Sequence, residues 1–434
     1  MKKIILVIAF ISINSHATDL ISLYERAKIH NIEILDNELD VNIANESLKQ
    51  TRSTVFPEIN FNARASETTI ERYKSLGVYN PSDYDRDTYN LTVRQPLLHL
   101  YVFDEIKKAK SVLLQNEINK TNADSTLILE SIRHYFNLIR SQAFVEVSEA
   151  QNEFHRSVLT SAKKLFQNGS MSVEDYEAIR NDYEMSINDL TISKNQLLEI
   201  KNDVYVFSGK ELNDINDIKL SELDHRLFLL DDLINSAYIN NNSIKMSKQS
   251  MNINRNEISA QKSRHYPTVD IVAEYDYIDI TQGGSQFGAT TREDSTISFV
   301  LNFPIFNGGY QSSKIKEARL KYQKARLDYK NNKRSIRKEI INSFNAYNTN
   351  KEIYKTSLRI FNTNSKKYQN AQSGYDKGIY TDTQVLSAKV DYLKSLAEAK
   401  DAMMKYLYSE LTLDHLLNNL DVSSLRKVNS YLIW

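Results

Sequence analysis

The sequence predicts a mixed α and β membrane protein, a duplicated unit of long coiled-coil helices that carries four transmembrane β-strands in all. Three observations predict it. Helix breakers are scarce, with only 10 Gly and 5 Pro in 434 residues. The chain resembles itself at an offset of about 210 residues. The stretches that begin or end at prolines alternate apolar and polar residues with the period of a strand.

The helices come first. Tyr101–Asn168, Ser170–Ser208, Lys210–Tyr266, Tyr310–Ser373 and Ile379–Trp434 contain neither Gly nor Pro. Ordinary domains break into loops far more often, so these runs predict very long helices. Ile340, Tyr347, Tyr354, Phe361 and Tyr368 recur at a seven-residue interval, with Phe344 and Leu358 filling part of a second seam position. That repeat favours packed, supercoiled helices, and the aromatic seam reads as packing. At about 1.5 Å per residue, Tyr310–Ser373 would reach roughly 95 Å.

The repeat orders the chain. Ala27…Asn31 matches Ala237…Asn241, and Phe56-Pro57 matches Tyr266-Pro267. Pro96 matches Pro304, and Gly169 with Asp182-Tyr183 matches Gly378 with Asp391-Tyr392. Each unit reads helix, strand pair, long helix, Gly turn, helix. The first repeat is 18–228, with strands about 55–97 and a hairpin turn near Gly169. The second is 229–434, with strands about 267–304 and a turn near Gly378. Pro57, Pro96, Pro267 and Pro304 mark the helix–strand junctions.

Within the strands, Ile59, Phe61, Ala63 and Ala65 alternate with polar residues, as do Tyr89, Leu91 and Val93. Val269, Ile271, Ala273, Tyr275 and Tyr277 form a third set, which Val272 interrupts, and Ile297, Phe299, Leu301 and Phe303 a fourth. Such dyads over about ten residues suit strands with one lipid face and one wet face. In that register Phe61, Leu91, Ile271 and Phe299 face lipid, and Asn60, Thr92 and Asn302 face a lumen. The connectors Glu67–Thr88 and Thr281–Ser295, with Gly77, Pro81, Gly283, Gly284 and Gly288, read as surface loops. Four strands cannot close a barrel, and an open edge is not tolerated in lipid, so several chains must contribute to one barrel.

Residues 1–17 read as a secretory signal peptide: Lys2 and Lys3, an apolar core Ile4–Ile11, then Ser15 and Ala17 before a cleavage site ahead of Thr18. Beyond Thr18 no run is apolar enough for a membrane helix. Lys plus Arg is 55 and Asp plus Glu is 55, so the chain is no polybasic nucleic-acid binder. The absence of Cys excludes disulfides, a thiol nucleophile and an N-terminal lipid anchor on Cys. The eight histidines form no HExxH pair, and no phosphate-binding Gly loop or GxSxG elbow occurs. The acids of Asp214–Asp224 and Asp231-Asp232 read as solvated faces and helix caps. Neither an enzyme nor a cofactor is expected.

Two segments carry a resemblance: FQNGSMSVEDYEAIRNDY (166–183) and YDKGIYTDTQVLSAKVDY (375–392), together with the strand pairs at Pro57/Pro96 and Pro267/Pro304. They resemble the TolC family of outer membrane efflux proteins over nearly the whole mature chain. The resemblance implies a homotrimer whose four strands per chain make a twelve-stranded barrel in outer membrane lipid, continuous with a periplasmic α-helical tunnel. Val206–Phe228 and the tail after Leu416 would form a belt around it. The partners implied are a periplasmic adaptor and an inner-membrane pump or export ATPase, for efflux of small toxic compounds or secretion of proteins. A soluble periplasmic coiled-coil adaptor or scaffold is the alternative, although adaptors usually carry Gly-rich β modules beside a single hairpin.

The resemblance also implies a periplasmic gate, and here the sequence departs from the family. Members pair a Tyr three residues before the second Gly, and an Arg two residues after it, with an Asp six residues after the first Gly. The Tyr is Tyr375 and the Asp is Asp175, but Tyr380 stands at the Arg position. The acids that line the constriction are replaced by Gln384 and Ser387, leaving Asp382 to supply charge. An Asp175–Tyr375 hydrogen bond without a salt bridge is therefore expected, with modest cation selectivity. Gly169 and Gly378 are the expected adaptor contacts.

Overall fold

The computed structural model describes residues 19–71, 83–212, 215–281 and 289–433. The signal peptide, Thr18, Gly77, Pro81, Asp214, Gly283, Gly284, Gly288 and Trp434 lie outside the described residues. The elements run α1 (Leu20–His30), α2 (Ile32–Ser53), β1 (Glu58–Thr68), β2 (Tyr84–Leu98), α3 (Leu100–Gln167) and α4 (Val173–Ser208). They continue with α5 (Leu230–Asn240), α6 (Asn242–Ser263), β3 (Thr268–Ile280), β4 (Thr290–Asn302), α7 (Tyr310–Asp376), α8 (Asp382–Leu416) and α9 (Val422–Asn429). The repeat is legible in their lengths: α1 and α5 have 11 residues each, α2 and α6 22 each, α3 68 and α7 67.

The repeated Asn residues are where helices break. Asn31 ends α1 and its N–H donates to Ala27 O at 2.7 Å; Asn241 ends α5 and donates to Ala237 O at 3.0 Å. Both alanines are fully buried.

Two compact units emerge, and each draws on both repeats. One comprises Glu38–Asn119 and Ser243–Asn332; the other takes the remaining described residues. The first holds a four-stranded antiparallel sheet in the order β1-β2-β3-β4. Its strands extend beyond the predicted ones: β1 runs to Thr68, β2 begins at Tyr84 and β4 at Thr290, inside stretches read as loops. The polar residues Asp85, Arg86, Asp87 and Thr290–Asp294 are extended because a neighbouring strand supplies the ladder, which hydropathy alone does not reveal. Pro57 and Pro267 sit directly before β1 and β3, and Pro304 follows β4. Pro96 falls within β2, beside a register shift between Pro96 and Leu98. Having no N–H, proline is accommodated in a strand at such an irregularity.

In the second unit α3 buries Leu127, Ile132, Tyr135, Leu138 and Ile139, and α8 buries Met403, Tyr406, Leu407 and Leu413. Ile340, Tyr347 and Tyr354 of the heptad seam are buried on α7, while Phe361 and Tyr368 are half-buried and pair with Tyr392. The expectation of one helix over Lys210–Tyr266 is overturned. Gly209 caps α4 in the left-handed conformation, and Lys210–Leu229 is non-helical where described. This segment pairs with the C-terminal tail: Ile218 bridges Leu432, and Ile433 N–H donates to Asp217 O at 2.7 Å. Likewise Ile379–Trp434 is not one helix, because α8 stops at Leu416 and the short α9 follows.

Candidate functional site

The sheet has two chemically distinct faces, and the register unites them across all four strands. Phe61 lies opposite Leu91, and Leu91 opposite Tyr275; Val93 lies opposite Ala273, and Ala273 opposite Ile297; Ile271 lies opposite Phe299. Directly opposed residues share a face, so Phe61, Leu91, Ile271 and Phe299 stand together. Phe61 is 66% and Phe299 74% exposed in the single chain. An apolar face this continuous calls for an apolar surrounding. The other face carries Asn60, Thr92, Glu274 and Thr296 in one row. It holds its own polar pairs, Arg94 with the buried Asp270 at 2.8 Å and Asn90 with Asp276 at 2.7 Å.

The two hairpin turns share one backbone device. At the end of α3, Ser170 N–H donates to Leu165 O at 2.9 Å and Gly169 N–H to Phe166 O at 3.0 Å. At the end of α7, Ile379 N–H donates to Gly374 O at 2.8 Å and Gly378 N–H to Tyr375 O at 2.9 Å. Both are Schellman caps, which place one residue in the left-handed region, and both glycines have φ +71°. Four residues after each glycine the next helix starts, at Val173 with Ser172 as N-cap, or at Asp382 with Thr381 as N-cap.

Those caps explain the predicted gate residues. Asp175 N–H donates to Ser172 Oγ at 3.1 Å, and Ser172 Oγ–H donates to the Asp175 carboxylate at 2.7 Å. Gln384 closes the equivalent box: its N–H donates to Thr381 Oγ1 at 3.3 Å and its Oε1 accepts Thr381 N–H at 2.8 Å. Asp175 and Gln384 are thus one position of the repeat, each spent on its own helix start. The expected Asp175–Tyr375 hydrogen bond is not formed among the described residues; the Asp175 carboxylate is turned to Ser172, and Tyr375 is exposed. Asp382 is drawn toward α3, where Ser157 Oγ donates to it at 3.2 Å. Ser387 is half-buried on α8.

Tyr380 takes a role the sequence reading missed. Its ring lies over Gly374, so closely that a Cβ there would collide with Tyr380 Cδ2. The first tip has no such pair. Instead Phe166 stacks on Tyr176 with ring centroids 4.8 Å apart. The capping patterns Ser172-x-x-Asp175 and Thr381-x-x-Gln384 were readable in sequence, but the ring over Gly374 had no local signal.

The non-helical segment is fastened by the seam tyrosines. Tyr347 donates to Arg226 O at 2.9 Å and meets Tyr406 Oη at 3.1 Å. Burial pushes both hydroxyls above the ordinary range, so they stay protonated as donors. Arg226 pairs with Asp414 at 2.7 Å. The seam therefore packs and also anchors backbone, which periodicity does not distinguish. Among the described residues no helix is long and apolar enough to cross a membrane, and no group of three or more His, Cys, Asp or Glu could hold a metal.

The model of the outer membrane efflux protein family matches residues 233–419. Outer membrane protein TolC of Escherichia coli (strain K12) is 21% identical over 100% of this chain and 90% of its own length. The chain is thus similar to the TolC family of outer membrane efflux proteins. Proteases secretion protein PrtF of Dickeya chrysanthemi is 18% identical over 79% of this chain and 76% of that protein. The crystal structure of the Campylobacter jejuni CmeC outer membrane channel superposes with a TM-score of 0.75 at 15% identity, covering 95% of this chain and 90% of that one. These likenesses support residence in the outer membrane and a role as an exit channel.

Proposed function

We propose that three copies close one twelve-stranded barrel in the outer membrane, with the helices forming a periplasmic tunnel whose hairpin tips meet an adaptor and an inner-membrane pump or export ATPase. The observation that carries this reading is the sheet. Its apolar residues share one face, and its order leaves β1 and β4 as free edges. In lipid each edge must find a partner, and joining β4 of one copy to β1 of the next satisfies both. The conduit is passive and performs no catalytic step. Its cargo is small toxic compounds, proteins or both, in keeping with relatives named for efflux and for protease secretion.

Gradient fractionation of cells tests the reading. A heat-modifiable trimer in the outer-membrane fraction is expected. Recovery as a soluble periplasmic monomer would instead favour a coiled-coil adaptor or scaffold.

A further inference from the structure

The polar face of the sheet is layered by charge along its strands. Opposed residues form rows, and successive rows on one face are two residues apart. Toward the end where β1 turns to β2, one row holds Arg64, Thr88, Ile278 and Arg292, and the next holds Ser66, Arg86, Ile280 and Thr290. These two rows carry three arginines and no carboxylate. Toward the helices, the following row holds Asn62, Asn90, Asp276 and Asp294, and the one after it Asn60, Thr92, Glu274 and Thr296. These two carry three carboxylates and no cation. The row nearest the helices is mixed, with Glu58 opposite Arg94, which also holds the buried Asp270 at 2.8 Å.

The side chains follow the register. Arg64 and Arg86 line one recess, whose single carboxylate, Glu67, belongs by alternation to the other face. Asp276 lies directly opposite Asp294, and like charges so placed destabilise a sheet. Each is offset by a neighbour: Asn90 donates to Asp276 at 2.7 Å, and Arg292 pairs with Asp294 across the boundary of the layers. The second pair is exposed, contributes little and leaves both layers charged. Stability does not call for this arrangement, because neutral residues in the same rows would avoid the repulsion.

We propose that the barrel lumen is a two-layer charge filter, an arginine ring at its outer mouth above a carboxylate ring on the periplasmic side, which makes ion flow easier in one direction. This rests on the barrel reading above and names the residues that set its ion specificity. The centres of the layers are four residues apart, about 13 Å along the strand at roughly 3.3 Å per residue. That exceeds the screening length of about 8 Å at physiological ionic strength, so each layer presents its own field.

Anions concentrate in the arginine ring and cations in the carboxylate ring. A voltage positive on the helix side drives both kinds of ion toward the boundary, where they accumulate and carry more current. The opposite voltage draws both away and leaves the boundary depleted. Cations leaving the cell meet an attractive ring first, and cations arriving from outside meet a repelling one.

Purified full-length protein in a planar lipid bilayer tests the filter. The bulky helical part stays on the side of addition, which fixes the orientation. In about 0.1 M salt, where the screening length is roughly 10 Å, the current should be larger with that side positive. In about 1 M salt, where it is roughly 3 Å, the current ratio should fall to one. The triple variant Arg64→Gln, Arg86→Gln, Arg292→Gln should lose the asymmetry and shift its reversal potential toward cation selectivity. The triple variant Glu274→Gln, Asp276→Asn, Asp294→Asn should lose it and shift toward anions. The single variants Arg64→Gln and Asp276→Asn should shift the reversal potential in the same opposite directions, which keeps the test decisive where a triple variant fails to assemble. Equal currents at both polarities in the parent, an asymmetry that the variants retain, or reversal potentials that move together would overturn the layering and leave the duct standing. A parent that does not conduct would overturn the duct itself.

Discussion

The two hairpin tips are built on the same backbone and dressed differently. Each reverses the chain through a glycine at φ +71° and restarts it on a hydroxyl N-cap. The first tip then adds an aromatic stack, Phe166 on Tyr176, and a carboxylate, Asp175, at the helix start. The second adds a neutral capping box, Thr381 with Gln384, and lays Tyr380 over Gly374. Duplication thus kept the turn, which only a narrow set of residues can make, and freed the side chains around it. The charge a gate would use is consequently unequal: Asp175 serves one helix start, and Gln384 serves the other without charge.

Breaking the shared device should have the largest effect. A non-glycine residue in the left-handed region costs about 1–2 kcal/mol, so the double variant Gly169→Leu, Gly378→Leu strains both tips. It should abolish export while trimers still reach the outer membrane, read by a cargo assay beside membrane fractionation. Normal export would remove the tips from partner docking.

The next effect separates the tips. Gly374→Ala drives a methyl into the Tyr380 ring and should cost about 1–3 kcal/mol by overpacking, seen as faster hydrogen exchange at the second tip alone. Adding Tyr380→Ala should relieve it. Leu165 occupies the equivalent place in the first tip, outside any such ring, and Leu165→Ala should leave the second tip's exchange unchanged.

Cap removal should come third. Ser172→Ala and Thr381→Ala each remove a hydroxyl N-cap and should cost about 1 kcal/mol. Thr381→Ala should fray α8 more than Ser172→Ala frays α4, because Gln384 loses its partner as well; equal exchange rates would show that the neutral box adds nothing.

The smallest effect concerns charge. Asp382→Asn should lower a modest cation preference, measured as a reversal potential across a salt gradient, and Asp175→Asn should change it less because that carboxylate is held at a helix start. Strong selectivity surviving both changes would place the filter elsewhere.

Much of this was legible in sequence because long-range order rests on patterns that one residue type enforces. Gly169 and Gly378 mark turns, the heptad marks Ile340, Tyr347 and Tyr354, and alternation marks the strands. The failures arose where a neighbour decides. Lys210–Leu229 has no breaker inside it, yet it leaves the helix because Tyr347 and the tail supply partners for its backbone. Asp85–Asp87 look like loop and become strand because β1 pairs with all three and β3 with Arg86 and Asp87. The family resemblance implies a latch from Asp175 across the tips, whereas the nearest hydroxyl, Ser172 three residues away, holds it. Tyr380 over Gly374 depends on a six-residue return of the chain that no period announces.

The central claim is that copies of this chain enclose a water-filled duct through the outer membrane. Purified full-length protein added to a planar lipid bilayer tests it most directly. Discrete, uniform conductance steps from a species with the mass of three chains are the predicted result. A protein that inserts without conducting, or that stays in solution as a single chain, would contradict the account.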